Sequence, residues 1–216
     1  MKFPGSKSVV IVIAISAISV GLVITSQLLA SGPVAIPAPE SGQDRVIDRV
    51  RELFPQTEHW FAIVATAKFT TPGSGRIVPD YDSLTHPRVR REDASGHTIA
   101  AEFAQRFRVA TRIGSREDDG AWIDVTPKGG RNVAARIQDG LVVYPDAYRD
   151  TDVLYKSTPT HTDEYLLLRT ADAPTEWRYR VRLGPTIARL RQAGAAVEGV
   201  DADGVPWMRA NPPFAV

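Results

Sequence analysis

The sequence predicts an all-β fold: a β-sandwich-like domain preceded by one N-terminal transmembrane or signal helix, a proline-rich linker and a short amphipathic helix. Two observations carry the prediction. From residue 59 onward apolar residues recur at every second position, as in WRYRVRL at 177–183, which is the period of a strand with one wet face. Between the apolar runs fall PDAYRD, STPTHT, ADAP, QAG and DADG, turn chemistry at nearly even intervals, with no β-α-β rhythm and no internal repeat.

Residues 1–8 hold Lys2 and Lys7 and no acid. Residues 9–30, VVIVIAISAISVGLVITSQLLA, carry no charge over 22 positions, about 33 Å as a helix and enough to cross a bilayer. The lysines keep the short flank cytoplasmic and send the remainder out. A cleaved secretory signal has the same polarity, although its best cleavage positions are poor, Ala30 following Leu28 and Ala35 following Pro33. Either way residues 40–216 lie outside the cytoplasm, on a single-pass anchor in the cell membrane or secreted, with the lipid bilayer as the partner of residues 9–30. A buried core helix is the remaining reading of this run.

Residues 31–43 alternate Pro33, Pro37 and Pro39 with small residues and read as an extended linker. Residues 44–55 place Val46, Ile47, Val50, Leu53 and Phe54 on one helical face before Pro55 stops the helix. Its polar face has little basic surplus, so it is expected to pack on the domain or a neighbouring chain rather than on lipid. Residues 56–216 are the β-rich domain. HWFAIVATAKF is a strand, 72–98 a loop, and 106–113 a one-sided strand ending at Gly114. After the SREDDG turn come AWIDV, LVVY, DVLY, EYLLLR, WRYRVRL, VEGV and PWMR.

In WRYRVRL the residues Trp177, Tyr179, Val181 and Leu183 share one face and Arg178, Arg180 and Arg182 the other. A solvated outer face is the economical explanation. If the similar stripe in RFRVATRI belongs to the same sheet, the arginines become an anionic ligand site. Most aromatics, Trp122 and Trp207 among them, alternate as core residues should. Tyr148 is the one expected to be exposed, in a turn between Asp146, Arg149 and Asp150, and it joins Arg178, Arg180 and Arg182 as the candidate ligand-binding set.

Composition narrows the rest. Beyond residue 35, 24 basic residues face 25 acidic ones, without the basic surplus that a nucleic-acid binder uses to displace counterions. No Cys means no disulfide, thiolate metal site or Cys nucleophile. TTPGSGR around Ser74 lacks both the Gly-x-Ser-x-Gly elbow and the Lys-Ser/Thr of a phosphate loop. His59, His86, His97 and His161 have no metal-ligand spacing; His161, Asp163 and Glu164 come nearest and are better explained as a turn entering a strand. The acidic loops at 80–82, 149–152 and 201–204 offer calcium-type oxygens but no twelve-residue loop, and DADG has the make-up of a hairpin turn. No catalytic residue, metal or cofactor is assigned, and no enzymatic activity is expected.

The pattern WIDVTP, then LVVYPDAYRDTDVLYKSTPTHTDEYLLLR, APTEWRYRVRL and DADGVPWMRANPPFAV resembles an N-terminal β-rich module of large secreted bacterial surface proteins, found ahead of Rhs-type tyrosine/aspartate repeats and other repeat arrays. It covers residues 121–216. Such proteins continue past this segment, so a naturally short member or a truncated reading frame is expected here. The resemblance implies no catalytic residues. A non-enzymatic surface module with a structural or interaction role is expected, in contact with envelope glycan or another surface protein. The alternative is an extracellular glycan-binding β-sandwich; an exported hydrolase is third.

Overall fold

The computed structural model describes residues 46–55, 68–71, 75–80, 99–115 and 120–215, and the backbone course of 9–15. In chain order these form β1 (Val9–Ile15), α1 (Val46–Leu53), β2 (Lys68–Thr70), β3 (Arg76–Asp80), β4 (Ile99–Ala104), β5 (Thr111–Ser115), β6 (Trp122–Lys128) and β7 (Arg136–Gln138). There follow β8 (Leu141–Tyr148), β9 (Thr151–Ser157), β10 (Thr162–Leu168), β11 (Arg178–Leu183), β12 (Arg189–Ala193), β13 (Ala196–Val200), β14 (Pro206–Ala210) and β15 (Phe214–Ala215). Among the described residues they build three antiparallel sheets, ordered β15-β1-β10-β9-β8-β7, β11-β6-β5-β4-β3-β2 and β12-β13-β14. The predicted mostly-β, sandwich-like architecture is present.

The core between the first two sheets is aromatic. Tyr144, Val153, Tyr155, Leu166 and Leu168 pack with Phe103, Ile113, Ile123, Val125 and Trp177. Ring contacts stitch it together, Phe103 to Tyr155 at 5.3 Å and Tyr144 to Tyr155 edge-on at 5.9 Å. The other face of the first sheet is covered as well. Leu141, Val143, Leu154, Tyr165 and Leu167 lie with Val46, Ile47, Val50 and Phe54 in a second apolar cluster. At its N-terminal end α1 is fixed by the Ile47 N–H donating to Gln138 Oε1 at 3.2 Å, and along its side by Arg49 Nη1 on the buried Asp152 at 2.7 Å. The amphipathic helix thus packs on the domain, as its polar face suggested. Double coverage explains why LVVY and EYLLLR read as continuous apolar runs.

Several local expectations differ from the structure. Val9–Ile15 is a strand antiparallel to β10, Val9 opposite Leu168 and Ile15 opposite Thr162, rather than the opening of a helix. A run that is apolar at every position carries neither helical nor strand periodicity, and β-branched residues suit an extended chain. Residues 16–30, the linker 31–43 and residues 59–67 lie outside the described residues. Among those described, no helix is long and apolar enough to cross a membrane.

Within the expected 72–98 loop, residues 76–80 form β3. Pro79 is tolerated there because β4 pairs with β3 only at Arg76 and Ile77. The expected strand over 106–113 is instead a reversal followed by β5 from Thr111: Phe107 is buried and Val109 is exposed. An alternating pattern ran across a turn because Phe107 dives into the core, where its ring leaves no room for a side chain at Gly130. The QAG break overlaps the end of β12, which runs to Ala193, and its Gly194 makes the turn, φ 64°.

PDAY is a bulge in β8 rather than a turn. Residues 145–147 stand opposite the single Asp152, between the pairs Tyr144–Val153 and Tyr148–Thr151. Asp146 takes φ 52°, and its N–H donates to Asp152 Oδ1 at 2.8 Å. The bulge returns Tyr148 to the inner face, 5% exposed and edge-on to Phe107 at 5.2 Å. The prediction that Tyr148 is exposed is therefore wrong.

Candidate functional site: the arginine face of the second sheet

β11 is an edge strand, bonded to β6 on one side. Its residues alternate: Arg178, Arg180 and Arg182 are exposed, Tyr179, Val181 and Leu183 half-buried, and Trp177 just before it is fully buried. The register predicted from WRYRVRL is the one observed. The condition set on the second stripe is met in part. Arg112 of β5 lies in this sheet, whereas Arg106 and Arg108 fall in the reversal before it.

The strand register lines up a row of alternating charge. Arg182 stands opposite Asp124, Asp124 opposite Arg112, and Arg112 opposite Glu102, across β11, β6, β5 and β4. Arg112 donates to Asp124 through Nε at 2.8 Å and Nη2 at 3.1 Å, and Arg182 Nη2 reaches the same carboxylate at 2.5 Å. Burial by itself would push the Asp124 carboxyl up, but the hydrogen bonds and charges of the two arginines hold it below its ordinary value. Asp124 also raises the Arg112 guanidinium.

Trp122 lies on this outer face, not in the core. Arg112 stacks over its ring at 4.0 Å and Arg182 at 5.2 Å. Room for the Trp122 side chain comes from Gly184, where an added Cβ would approach its ring to 2.9 Å, and from Gly114, where one would approach its Cβ to 2.9 Å. The face carries a positive excess. Arg178 pairs with Glu176 at 2.5 Å yet sits opposite Lys128, and Arg180 makes no ion pair among the described residues. Such a surface offers guanidinium donors to an anionic partner, with Trp122 and Asp124 holding two of them in place.

Sequence reasoning assigned Trp122 to the core and did not single out Asp124. A signal was present in AWIDV. Ala121, Ile123 and Val125 are the buried alternate set, which leaves Trp122 in phase with the charged Asp124 on the opposite face.

Beneath β11, on the inner face, lies a buried polar cluster. Glu164 is 1% exposed; Tyr155 donates to its Oε1 at 2.5 Å and Tyr179 to its Oε2 at 3.0 Å. Burial raises the Glu164 carboxyl to about 7, against the opposing pull of the two tyrosine hydrogen bonds. Tyr148 belongs here. Its buried hydroxyl lies near Tyr179 and Glu164 without closing a hydrogen bond. The four residues expected to form one ligand-binding set are thus divided by the sheet, with Tyr148 under β11 and the three arginines above it. Glu164 has the proton affinity of an acid–base catalyst but is sealed in the core.

Strand alternation also separates the nearest metal-type cluster. Asp163 lies with Lys156 at 3.2 Å and His161 at 3.5 Å, while Glu164 points to the other side of β10. No group of three His, Asp or Glu side chains among the described residues is arranged to hold a metal ion. DADG is a turn as expected, with Asp201 accepting from the Val205 N–H at 2.8 Å and Gly204 at φ 85°. The chain matches no protein-family model, no curated protein and no solved structure.

Proposed function

We propose that the chain is a non-enzymatic module of a bacterial envelope or surface protein, exported by residues 9–30 and acting by contact through the outer face of its second sheet. The observation that carries this reading is the exposed Arg178, Arg180 and Arg182 on an edge strand beside the Arg112–Asp124–Arg182 ladder and Trp122. Export rests on Lys2 and Lys7 ahead of the uncharged run, and a surface assembly on the grammar of residues 121–216. Val9–Ile15 then has two destinations, the bilayer or the β10 edge, and both suit an unbroken apolar segment.

Two measurements test it. A reporter active only in the cytoplasm, fused after Val216, stays silent; strong activity there overturns the export reading. The Arg180→Ser protein folds but loses retention on isolated envelope material, and undiminished retention overturns the contact face. Retention on purified anionic glycan, lost in the same variant, would favour the glycan-binding alternative, which now stands on the arginines without Tyr148.

A further inference from the structure

We infer that the free edge of β11 takes up an extended segment of a partner protein as an added strand, and that the segment alternates acidic and apolar residues. The inference rests on the reading of the arginine face as a contact surface and names what that surface binds. One edge of β11 is bonded to β6, and no strand among the described residues lies along the other. Every second N–H and C=O of an edge strand points outward, so the backbone itself is a template for one more strand.

The side chains say which strand fits. Successive arginines on one face are about 7 Å apart along an antiparallel strand, and residues directly opposite on a neighbouring strand approach to about 5 Å. An incoming strand with Asp or Glu at three alternate positions therefore meets Arg178, Arg180 and Arg182 one to one. Its intervening residues fall on the inner side, next to Tyr179, Val181 and Leu183, which are only half-buried at the rim of the sandwich. Covering them calls for apolar side chains. A second copy of this chain is the wrong occupant. Antiparallel β11–β11 pairing sets arginine against arginine, and like charges directly opposite are destabilising. Arg180 is central to the stripe and makes no ion pair among the described residues. Its flanking neighbours already hold Glu176 and Asp124. Arg180 is accordingly the anchor.

The test uses the full chain and a labelled peptide, acetyl-Glu-Val-Glu-Val-Glu-Leu-amide, followed by fluorescence anisotropy. Three control peptides accompany it: a scrambled one with the three Glu contiguous, one N-methylated at alternate amides, and one with Lys at the central acidic position. Expected are saturable binding of the parent, loss with the scrambled and N-methylated peptides, and slowed amide exchange confined to β11. Arg180→Glu should weaken the parent at least about tenfold and recover affinity for the central-Lys peptide, the mark of a direct pair. Should Arg180→Glu disturb the circular dichroism spectrum, Arg180→Ser takes its place, with the same loss expected for the parent. Equal binding of the N-methylated peptide, or no binding of the parent at millimolar concentration, overturns the inference. A soluble polyuronate serves as second probe. Arg180-dependent binding of that polymer, with peptides bound regardless of N-methylation, overturns strand addition while leaving the contact face standing; retention on envelope material that is undiminished in Arg180→Ser removes the contact face itself.

Discussion

Glu164 makes the stability of this domain depend on pH in a direction opposite to that of most carboxylates. Its two oxygens are held by Tyr155 and Tyr179 inside the aromatic core, and burial lifts it from 4.5 to about 7. The folded protein therefore keeps this proton to a higher pH than the unfolded chain does. Its contribution is fully present below pH 4.5 and is lost as pH rises through 7, because unfolding then releases a carboxylate that the core disfavours. At about 1.4 kcal/mol per pH unit, the interval amounts to about 3 kcal/mol. Urea denaturation of the full chain, followed by tryptophan fluorescence at pH 5, 6, 7 and 8, should show falling midpoints that level off above pH 7. Asp152, also raised by burial, contributes with the same sign. Asp124, Asp163 and Asp201 are held low and act only at more acid pH. Glu164→Gln keeps the shape and loses the charge, so it should flatten most of the dependence and match or exceed the wild type at pH 8. Tyr155→Phe removes a bond to the carboxylate and should move the transition to still higher pH. A wild type indifferent to pH between 5 and 8, or a Glu164→Gln protein as pH-dependent as the wild type, refutes the reasoning.

Arg180→Ser should change stability by no more than about 0.5 kcal/mol, as an exposed position without an ion pair does, whereas Tyr179→Ser loses core contact and a hydrogen bond to Glu164 and should cost several times more by urea denaturation. Gly184→Ala forces a Cβ against the Trp122 ring and the Gly120 carbonyl, at a cost of about 1–3 kcal/mol, with an altered tryptophan emission as the second readout. Ile47 is fully buried between α1 and the first sheet, so Ile47→Ala should cost about 2–5 kcal/mol in the same denaturation assay if the helix belongs to the domain.

Much of the fold was legible because a strand with one wet face writes its orientation into alternate residues. WRYRVRL is the clearest instance. Where legibility failed, the cause lies in geometry that single residues do not announce. Alternation across 106–113 continued through a chain reversal, since Phe107 and Ile113 reach the core from different segments. Asp146 adopts a left-handed backbone and folds two extra residues into β8, which turned an apparent loop tyrosine into a buried one. Trp122 was expected in the core with the other aromatics, but the alternation of β6 sets it on the outer face, where neighbouring glycines leave it room and two arginines stack on it. The Asp124 ladder is less legible still. It joins residues 12 and 58 positions apart, and strand order, not local pattern, brings them together.

The contrast between the two sheets points to where contact with a partner is feasible. β9 and β10 are buried at every position, because α1 covers one face and the second sheet the other. Their polar and charged residues are themselves paired: Thr151 with the Arg149 carbonyl, Ser157 with Thr162, Asp152 with Arg49, Asp163 with Lys156, Glu164 with two tyrosines. Charge on β9 and β10 is committed to holding the domain together. In the second sheet the outer parity is open at β11 and, although Gly114 and Asp124 are buried within it, carries arginines that exceed the acids available to them. Burying a charge costs several kcal/mol unless it is paired, so surplus guanidiniums persist only where water or a partner receives them. That requirement is why the contact surface proposed above is the second sheet's outer face and free edge, with Arg180 at its centre: Trp122 and Asp124 position Arg112 and Arg182, while Arg180 makes no ion pair among the described residues.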